Sequence, residues 1–156
     1  MDFSEFQKLI GQLTEEITSR SLDLDLQSHL NAEYGPGSSR YESLLDACKV
    51  GVRDGWLCNR EAGGLRYGRV LKPSEATHGF SVDVVDMENI AGPHHTHPNG
   101  EIDLIMPLTE GACFDQSPAG WRVYPVGSAH YPTVSKGRAL VLYLLPQGAI
   151  TFTPAA

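Results

Sequence analysis

Three histidines and one glutamate in the second half of this chain have the types and spacing of metal ligands. His95 and His97 are two residues apart, so in a β-strand their imidazoles point to the same face. Glu101 follows the tight turn Pro98-Asn99-Gly100, which can return a carboxylate beside the two imidazoles. His130 comes after a second turn, shaped by proline and glycine, and can be presented from a neighbouring strand. Three neutral imidazoles and one carboxylate suit Fe(II), Mn(II), Ni(II), Zn(II) or Co(II) and leave positions open for water or substrate.

Two residues next to these ligands have chemistry of their own. Asp103 lies two residues after Glu101 and shares its face of the strand, where a buried carboxylate is costly unless it is paired or functional. We predict that Asp103 either orients a ligand histidine or acts as a catalytic acid or base, and Glu101 is a second candidate for moving a proton. His94 alternates to the opposite face and is predicted to lie beside the site. A solvated, histidine-rich turn without a metal is the competing interpretation.

The residues ahead of the histidines predict a helical N-terminal segment. Residues 1–54 contain four of the sixteen glycines and one of the ten prolines. Ser4 and Gln7 have the spacing of a capping box, and the first helix presents one apolar face. The spacing predicts three helices, from Ser4 to about Ser19, from about Leu22 to Tyr34, and from Ser38 or Ser39 to Gly55.

The rest of the chain predicts an antiparallel β-barrel. Short β-type runs alternate with Gly and Pro about every eight to twelve residues, which leaves no space for crossover helices. The predicted strands are 56–60, 65–71, 80–86, 93–97, 101–106, 111–114, 121–124, 139–145 and 150–152. We therefore expect a mainly β protein in which a helical extension, residues 1–54, packs on a β-barrel, residues 55–156.

Composition excludes several classes of function. The chain has 156 residues, 41% of them apolar, which fits one domain with a substantial core. Its net charge of −7 argues against a nucleic-acid-binding surface, which needs clustered Lys and Arg. Three scattered cysteines do not make a disulfide framework, and no apolar run approaches the roughly 20 residues of a membrane span. We expect a cytoplasmic protein with neither nucleic-acid nor membrane partners.

The two histidine segments resemble the two motifs of the cupin superfamily. The first motif has H-x-H ahead of Glu, as in His95, His97 and Glu101, and the second reads P-x-G-x-x-H, as in residues 125–130. The sequence departs from the pattern at three positions that are not predicted ligands: Gly92, Gly111 and Val134. The resemblance implies a cupin jelly roll that binds a divalent transition metal, although a cupin barrel can also lack the metal.

Longer segments resemble one small bacterial family of cupin-like proteins, the 4-hydroxylaminobenzoate lyases. The resemblance covers nearly the whole chain and rests on five segments: 34–38 (YGPGS), 55–58 (GWLC), 66–69 (RYGR), 80–86 (FSVDVVD) and 92–103 (GPHHTHPNGEID). It implies that 4-hydroxylaminobenzoate and water are converted to 3,4-dihydroxybenzoate and ammonia, in the breakdown of nitrobenzoate.

An aromatic acid substrate requires a cation for its carboxylate, and the planar fork of Arg suits it best. Arg69 and Arg60 are the favoured candidates, and Arg66 and Arg122 also lie in β-type runs; a solvated surface position is the alternative for each. Tyr124 is a candidate for flanking the substrate ring, with core packing as its alternative. Because five of the seven net negative charges lie in residues 1–54, the β region repels an anion less than the whole chain would.

We therefore expect a metal-dependent cupin lyase that acts on a small aromatic acid. A homodimer is also expected, formed through strand edges or through the apolar face of the first helix. Two other functions fit the same residues. One is an Fe(II) cupin dioxygenase acting on a small aromatic or thiol substrate, and the other is a metal-free module that binds a small molecule.

Overall fold

Three helices form the N-terminal part of the computed structural model, which describes residues 2–153. They are α1 (Phe3–Ile17), α2 (Leu24–Tyr34) and α3 (Ser39–Asp54). Each helix begins after a side chain that accepts a hydrogen bond from a backbone N–H of its first turn: Asp2, Asp23 and Ser38. The predicted end of α3 is confirmed, because Gly55 has a φ of 85°, the left-handed conformation that commonly ends a helix.

The cap of α1 differs from the predicted one. Asp2 accepts a hydrogen bond from the backbone N–H of Glu5 (2.9 Å), and the Glu5 carboxylate accepts one from the backbone N–H of Asp2 (3.0 Å). Ser4 and Gln7 have the same spacing, but Ser4 already lies inside the helix. The earlier aspartate satisfies the first backbone donors, so the helix begins there.

Ten strands follow the helices and form two antiparallel sheets. They are β1 (Arg60–Ala62), β2 (Leu65–Leu71), β3 (Phe80–Ala91), β4 (His95–His97), β5 (Glu101–Pro107), β6 (Cys113–Phe114), β7 (Gly120–Tyr124), β8 (Ser128–His130), β9 (Thr133–Pro146) and β10 (Thr151–Phe152). The large sheet has the order β1-β2-β3-β9-β5-β7 with β6 beside β9, and the small sheet has the order β10-β4-β8. The predicted mainly β, antiparallel fold is confirmed. The sheets do not close into a barrel, however, and the architecture is that of an open jelly roll.

Some strand boundaries differ from the prediction. Residues 65–71 coincide with β2, whereas residues 56–58 form no strand and β1 begins only at Arg60. β3 and β9 are longer than predicted because their pairing continues past an irregularity at Asn89, whose φ of 45° is left-handed. β8 was not among the predicted strands, although His130 was expected to be presented from a strand next to the other histidines.

The two faces of the large sheet bury different side chains. On β5, alternate residues pack with the helices: Ile102, Leu104 and Met106. Glu101, Asp103 and Ile105 point to the other face, because side chains alternate along a strand. The apolar face of α1, which contains Phe6, Ile10, Leu13 and Ile17, is buried in the helix-side core. The helices therefore cover one face of the large sheet and leave the other for the site.

Within residues 2–153, none of the helices has the length and apolar character needed to cross a membrane.

Candidate metal centre

The four predicted ligands come together where the small sheet meets β5. His95 and His97 lie on β4, His130 on β8 pairs with His95, and Glu101 begins β5. One ligand atom from each residue lies within 4.8 Å of the other three. His95, His97 and Glu101 are at most 2% exposed, and the His130 side chain is 11% exposed. The predicted cluster is therefore present and almost closed to solvent.

The turn between β4 and β5 returns Glu101 to the histidines. Its last residue, Gly100, has a φ of 83°, which disfavours any residue with a side chain. A Cβ atom there would also lie 2.8 Å from the backbone oxygen of Tyr124. Glycine at this position is thus required both by the conformation and by the close approach of β7.

Two of the histidines are oriented by their Nδ1 atoms. Nδ1 of His95 donates to the backbone carbonyl of Pro93 (3.1 Å), and Nδ1 of His97 contacts Ser128 Oγ (2.9 Å). The Ser128 hydroxyl donates to the carbonyl of Pro125 (2.6 Å), so it accepts from His97. Burial also lowers the pKa of His95, which favours the neutral imidazole that a metal needs.

The third histidine is held by Asp115, which the sequence did not single out. Its Oδ2 accepts from Nδ1 of His130 (2.5 Å) and from the Tyr124 hydroxyl (2.5 Å), and its Oδ1 accepts from the backbone N–H of Thr133 (2.9 Å). Burial alone would raise the pKa of Asp115, but the hydrogen bonds from His130 and Tyr124 outweigh burial and lower it. Asp115 is therefore a carboxylate that fixes the orientation of His130.

With all three Nδ1 atoms donating, the three Nε2 lone pairs converge. Nε2 of His130 is 3.1 Å from Nε2 of His95, and Nε2 of His97 is 3.1 Å from Oε2 of Glu101. Bare lone pairs repel at these distances. Within the described part of the chain, Nε2 of His97 and both Glu101 oxygens are also buried without a hydrogen-bond partner.

A divalent cation satisfies this arrangement. Nitrogen ligands about 2.1 Å from one ion lie about 3 to 3.4 Å from each other, which matches the spacing of the His95 and His130 nitrogens. The set of three imidazoles and one carboxylate suits Fe, Mn, Zn, Ni or Co. His94 lies outside the cluster, since its ring packs against Tyr131 with centroids 4.7 Å apart.

Asp103 lies on the same face of β5 as Glu101 and is completely buried. Neither of its carboxylate oxygens has a hydrogen-bond partner among residues 2–153, so the structure gives it no contact that orients a histidine. Burial, and then repulsion from Glu101, raises the pKa of Asp103 well above its ordinary value. Its other predicted role, in proton transfer, stays a prediction.

A cavity of about 850 Å³ opens beside the cluster and reaches His95. Two of the predicted substrate-binding residues, Arg60 and Arg69, lie in its wall together with Lys72. Arg69 donates to the Asp83 carboxylate (3.1 and 3.2 Å) and to the backbone carbonyl of Gly148 (3.3 Å). Arg60 is exposed, and within residues 2–153 its guanidinium group makes no ion pair. Arg69 is therefore already engaged by the protein's own acceptors, whereas the guanidinium group of Arg60 remains available to a ligand in the cavity.

Tyr124 does not lie in the cavity wall. Its ring centroid is 4.6 Å from that of His130 and 5.3 Å from that of His97, and its hydroxyl donates to Asp115. It occupies this place because it pairs with Glu101 across β5 and β7, behind the histidines. The structure thus places Tyr124 against the candidate ligand histidines, and its contact with a substrate ring stays a prediction. Arg122 is likewise engaged, donating to the Asp115 carbonyl (2.7 Å).

The open jelly roll with three histidines and one glutamate facing each other defines a cupin-type protein with a potential metal site. The family model for 4-hydroxylaminobenzoate lyase (PnbB) matches residues 8–152. The chain belongs to this family, which confirms the resemblance seen in the sequence segments.

Two relatives carry the name 4-hydroxylaminobenzoate lyase. The protein of Nocardioides sp. (strain LMS-CY) is 39% identical over 152 residues, which cover 90% of each chain. The protein of Pseudomonas putida is 30% identical over 154 residues, which cover 88% of each. Among solved structures, an RmlC-like cupin protein from Ralstonia eutropha JMP134 superposes with a TM-score of 0.44 and 9% identity, over 60% of this chain and 62% of its own.

Proposed function

We propose that this chain is a 4-hydroxylaminobenzoate lyase, which converts 4-hydroxylaminobenzoate and water to 3,4-dihydroxybenzoate and ammonia. The observation that carries the proposal is a cavity with a candidate metal centre near His95 and a set of cations in its wall. The substrate has matching ends, a hydroxylamine nitrogen and oxygen on one side of the ring and a carboxylate on the other. Membership of the lyase family supports the same assignment.

The cations of the cavity suggest how the substrate lies. Arg60 and Lys72 face the cavity, and the guanidinium of Arg60 is available for a carboxylate. Arg69 already shares its donors with Asp83, so we assign it to shaping the wall and Arg60 to binding the substrate carboxylate. The hydroxylamine group then points toward His95. Lys72 adds to the positive potential that attracts an anion into a chain of net charge −7.

The reaction releases one water and one ammonia from the substrate and takes up two waters, so that one water is consumed overall. The oxygen of the hydroxylamine is protonated and leaves as water, a second water adds at the ring carbon ortho to nitrogen, and a third replaces the nitrogen as ammonia. His95, His97, Glu101 and His130 would hold the metal, which supplies a Lewis acid that polarises an oxygen and lowers the pKa of a bound water. Glu101 and Asp103 are the carboxyl groups that hold and move the protons.

The direct test is to incubate purified protein with 4-hydroxylaminobenzoate and to measure ammonia and 3,4-dihydroxybenzoate. We expect both products in equal amounts and no uptake of oxygen. Oxygen consumption with a catechol or thiol substrate would instead identify a dioxygenase. Binding of an aromatic acid without turnover, in protein that contains no metal, would identify a binding module.

We also propose that the protein is a cytoplasmic homodimer. The apolar face of α1 is buried in its own core, so the edge of the large sheet is left for the contact between subunits, where all three residues of β1 are exposed. Three unpaired cysteines, Cys48, Cys58 and Cys113, favour a reducing compartment. Light scattering after size exclusion distinguishes a dimer from a monomer, and a monomer at micromolar concentration would contradict the homodimer.

A further inference from the structure

Tyr143 is a buried tyrosine whose hydroxyl group has no partner within residues 2–153. Its side chain is 5% exposed, and it lines the cavity. The other two buried tyrosines are satisfied, since Tyr41 donates to the carbonyl of Ile105 (3.3 Å) and Tyr124 to Asp115 (2.5 Å). A buried phenol normally has a partner, because an unsatisfied hydroxyl is costly. The Tyr143 hydroxyl is not among the fully enclosed polar atoms, so it opens to the cavity and is free to donate to a molecule bound there.

The sheet places Tyr143 firmly between two carboxyl groups. On β9 it pairs with Asp83 of β3 on one side and with Asp103 of β5 on the other, so all three side chains share one face. Its ring packs near Phe114, with centroids 6.2 Å apart. Burial, and then the neighbouring Asp103 and Glu101, keep the pKa of Tyr143 well above its ordinary value. The phenol therefore remains a hydrogen-bond donor at neutral pH.

The position of this donor matches one atom of the substrate. With the carboxylate at Arg60, the proposed pose directs the hydroxylamine group to the end of the cavity at His95. Tyr143 lies near the same histidine cluster, because the rings of Tyr143 and His130 both pack near Phe114, with centroid distances of 6.2 and 6.0 Å. Among the residues that line this end, Tyr143 brings an unpaired O–H group on a central, rigid strand. An oxygen that leaves with an electron pair needs such a donor as negative charge develops on it.

We propose that Tyr143 is a further catalytic residue, whose hydroxyl donates a hydrogen bond to the hydroxylamine oxygen of the substrate while the N–O bond breaks. The inference rests on the proposed function. The electron pair of the N–O bond leaves with the oxygen, and the one proton that completes the departing water comes from the carboxyl group of Asp103. Tyr143 keeps its own proton throughout, so it stabilises the leaving oxygen and is not consumed in the step.

Tyr143→Phe removes this hydroxyl and leaves the ring. We expect kcat for 4-hydroxylaminobenzoate to fall about 10²-fold, the usual effect of losing one such donor, with KM, metal content and melting temperature close to wild type. Tyr131→Phe is the matched control, because it removes a hydroxyl from an exposed tyrosine outside the cavity, and it should leave kcat unchanged. A kcat for Tyr143→Phe equal to that of the control would overturn the proposal. So would a lower melting temperature that accompanied weaker binding of 4-aminobenzoate, which would make the role structural.

A binding experiment separates this inference from the proposed function. 4-Nitrobenzoate has oxygens on its nitrogen, whereas 4-aminobenzoate has none, and neither is turned over by the lyase reaction. We expect the wild type to prefer the nitro compound about fivefold, roughly the worth of one hydrogen bond, and Tyr143→Phe to lose that preference. The same ratio in both proteins would overturn the role of Tyr143. Absence of ammonia release by the wild type would reject the lyase activity but leave this ratio as a valid test of the donor.

Discussion

Replacing Asp115 with asparagine tests how the metal centre is held together. The carboxylate of Asp115 accepts three hydrogen bonds, whereas an amide of the same shape has one acceptor oxygen and one donor NH₂ group. If the amide oxygen keeps its bond to the Thr133 backbone, the NH₂ group faces Nδ1 of His130 and the Tyr124 hydroxyl, which are both donors. His130 relieves this conflict by moving its proton from Nδ1 to Nε2. That nitrogen is the one directed at His95 and is then no longer able to bind a metal.

The expected loss is large for a residue that does not touch the metal. Removing the outer partner of a ligand histidine typically weakens metal binding about 10- to 100-fold, or about 1.4 to 2.8 kcal/mol. We expect Asp115→Asn to lie in the upper part of this range, about 30- to 100-fold. Two donors lose their acceptor together, and both of their hydrogen bonds are made to an ionised carboxylate, which makes them stronger than bonds between neutral groups.

The assay is a competition titration of metal-free protein with Zn²⁺ and a coloured chelator. Glu110→Gln is the matched control, since it removes one negative charge from an exposed position nearby in the chain, in the connection between β5 and β6. Its dissociation constant for Zn²⁺ should stay within about twofold of wild type, a difference below 0.5 kcal/mol. An unchanged dissociation constant for Asp115→Asn, or an equal loss in the control, would refute the reasoning. The melting temperature of each metal-free variant shows whether the fold itself has changed.

Three further experiments address the ligands, the substrate cation and the metal. His95→Ala or His130→Ala should abolish metal retention while the circular dichroism spectrum stays that of a folded protein, and full metal occupancy in either variant would mean that the ligand set is wrong. Arg60→Ala should raise KM for 4-hydroxylaminobenzoate at least about tenfold, through loss of a charge-assisted hydrogen bond, with kcat within about twofold. Glu61→Ala, on the same exposed strand, is its control, and a KM that does not differ between the two would contradict the assignment. Removal of the metal by a chelator should abolish activity, and added divalent metal should restore it. Activity that survives complete removal of metal would contradict a catalytic role of the metal and would assign the reaction to acid–base chemistry by the two buried carboxyl groups, Glu101 and Asp103.

The cluster of candidate metal ligands was predictable from the sequence because its geometry is local. His95 and His97 share a face of one strand, and a tight turn separates them from Glu101, so spacing alone brings three of the four together. His130 required the second motif, because its pairing with His95 joins strands 35 residues apart. The alternation along β5 also predicted that Asp103 lies on the same face as Glu101.

Asp115 and the choice of arginine were not predictable in this way. Asp115 reaches His130 through a two-residue hairpin turn in which Asp115 and Gln116 both have left-handed φ angles, 48° and 68°, and Gln116 stands where the usual sequence signal for such a turn has glycine. Arg69 is engaged because the register of β2 and β3 places it opposite Asp83, and one sequence does not determine that register. The jelly roll was predicted, but its open form was not, since the strand pattern does not indicate whether the last pair of strands joins.

The metal ligands and the cavity cations come from different parts of the fold. The ligands lie on β4, β5 and β8, whereas Arg60 and Arg69 lie on β1 and β2 at the opposite edge of the large sheet, with Lys72 just after β2. Residues that bind the substrate carboxylate can therefore be changed without changing the residues that act on the hydroxylamine nitrogen and oxygen. A library confined to residues 60–72 should yield variants that accept differently substituted rings while the reacting centre stays intact, which makes this edge the natural starting point for redirecting the enzyme to other aryl hydroxylamines.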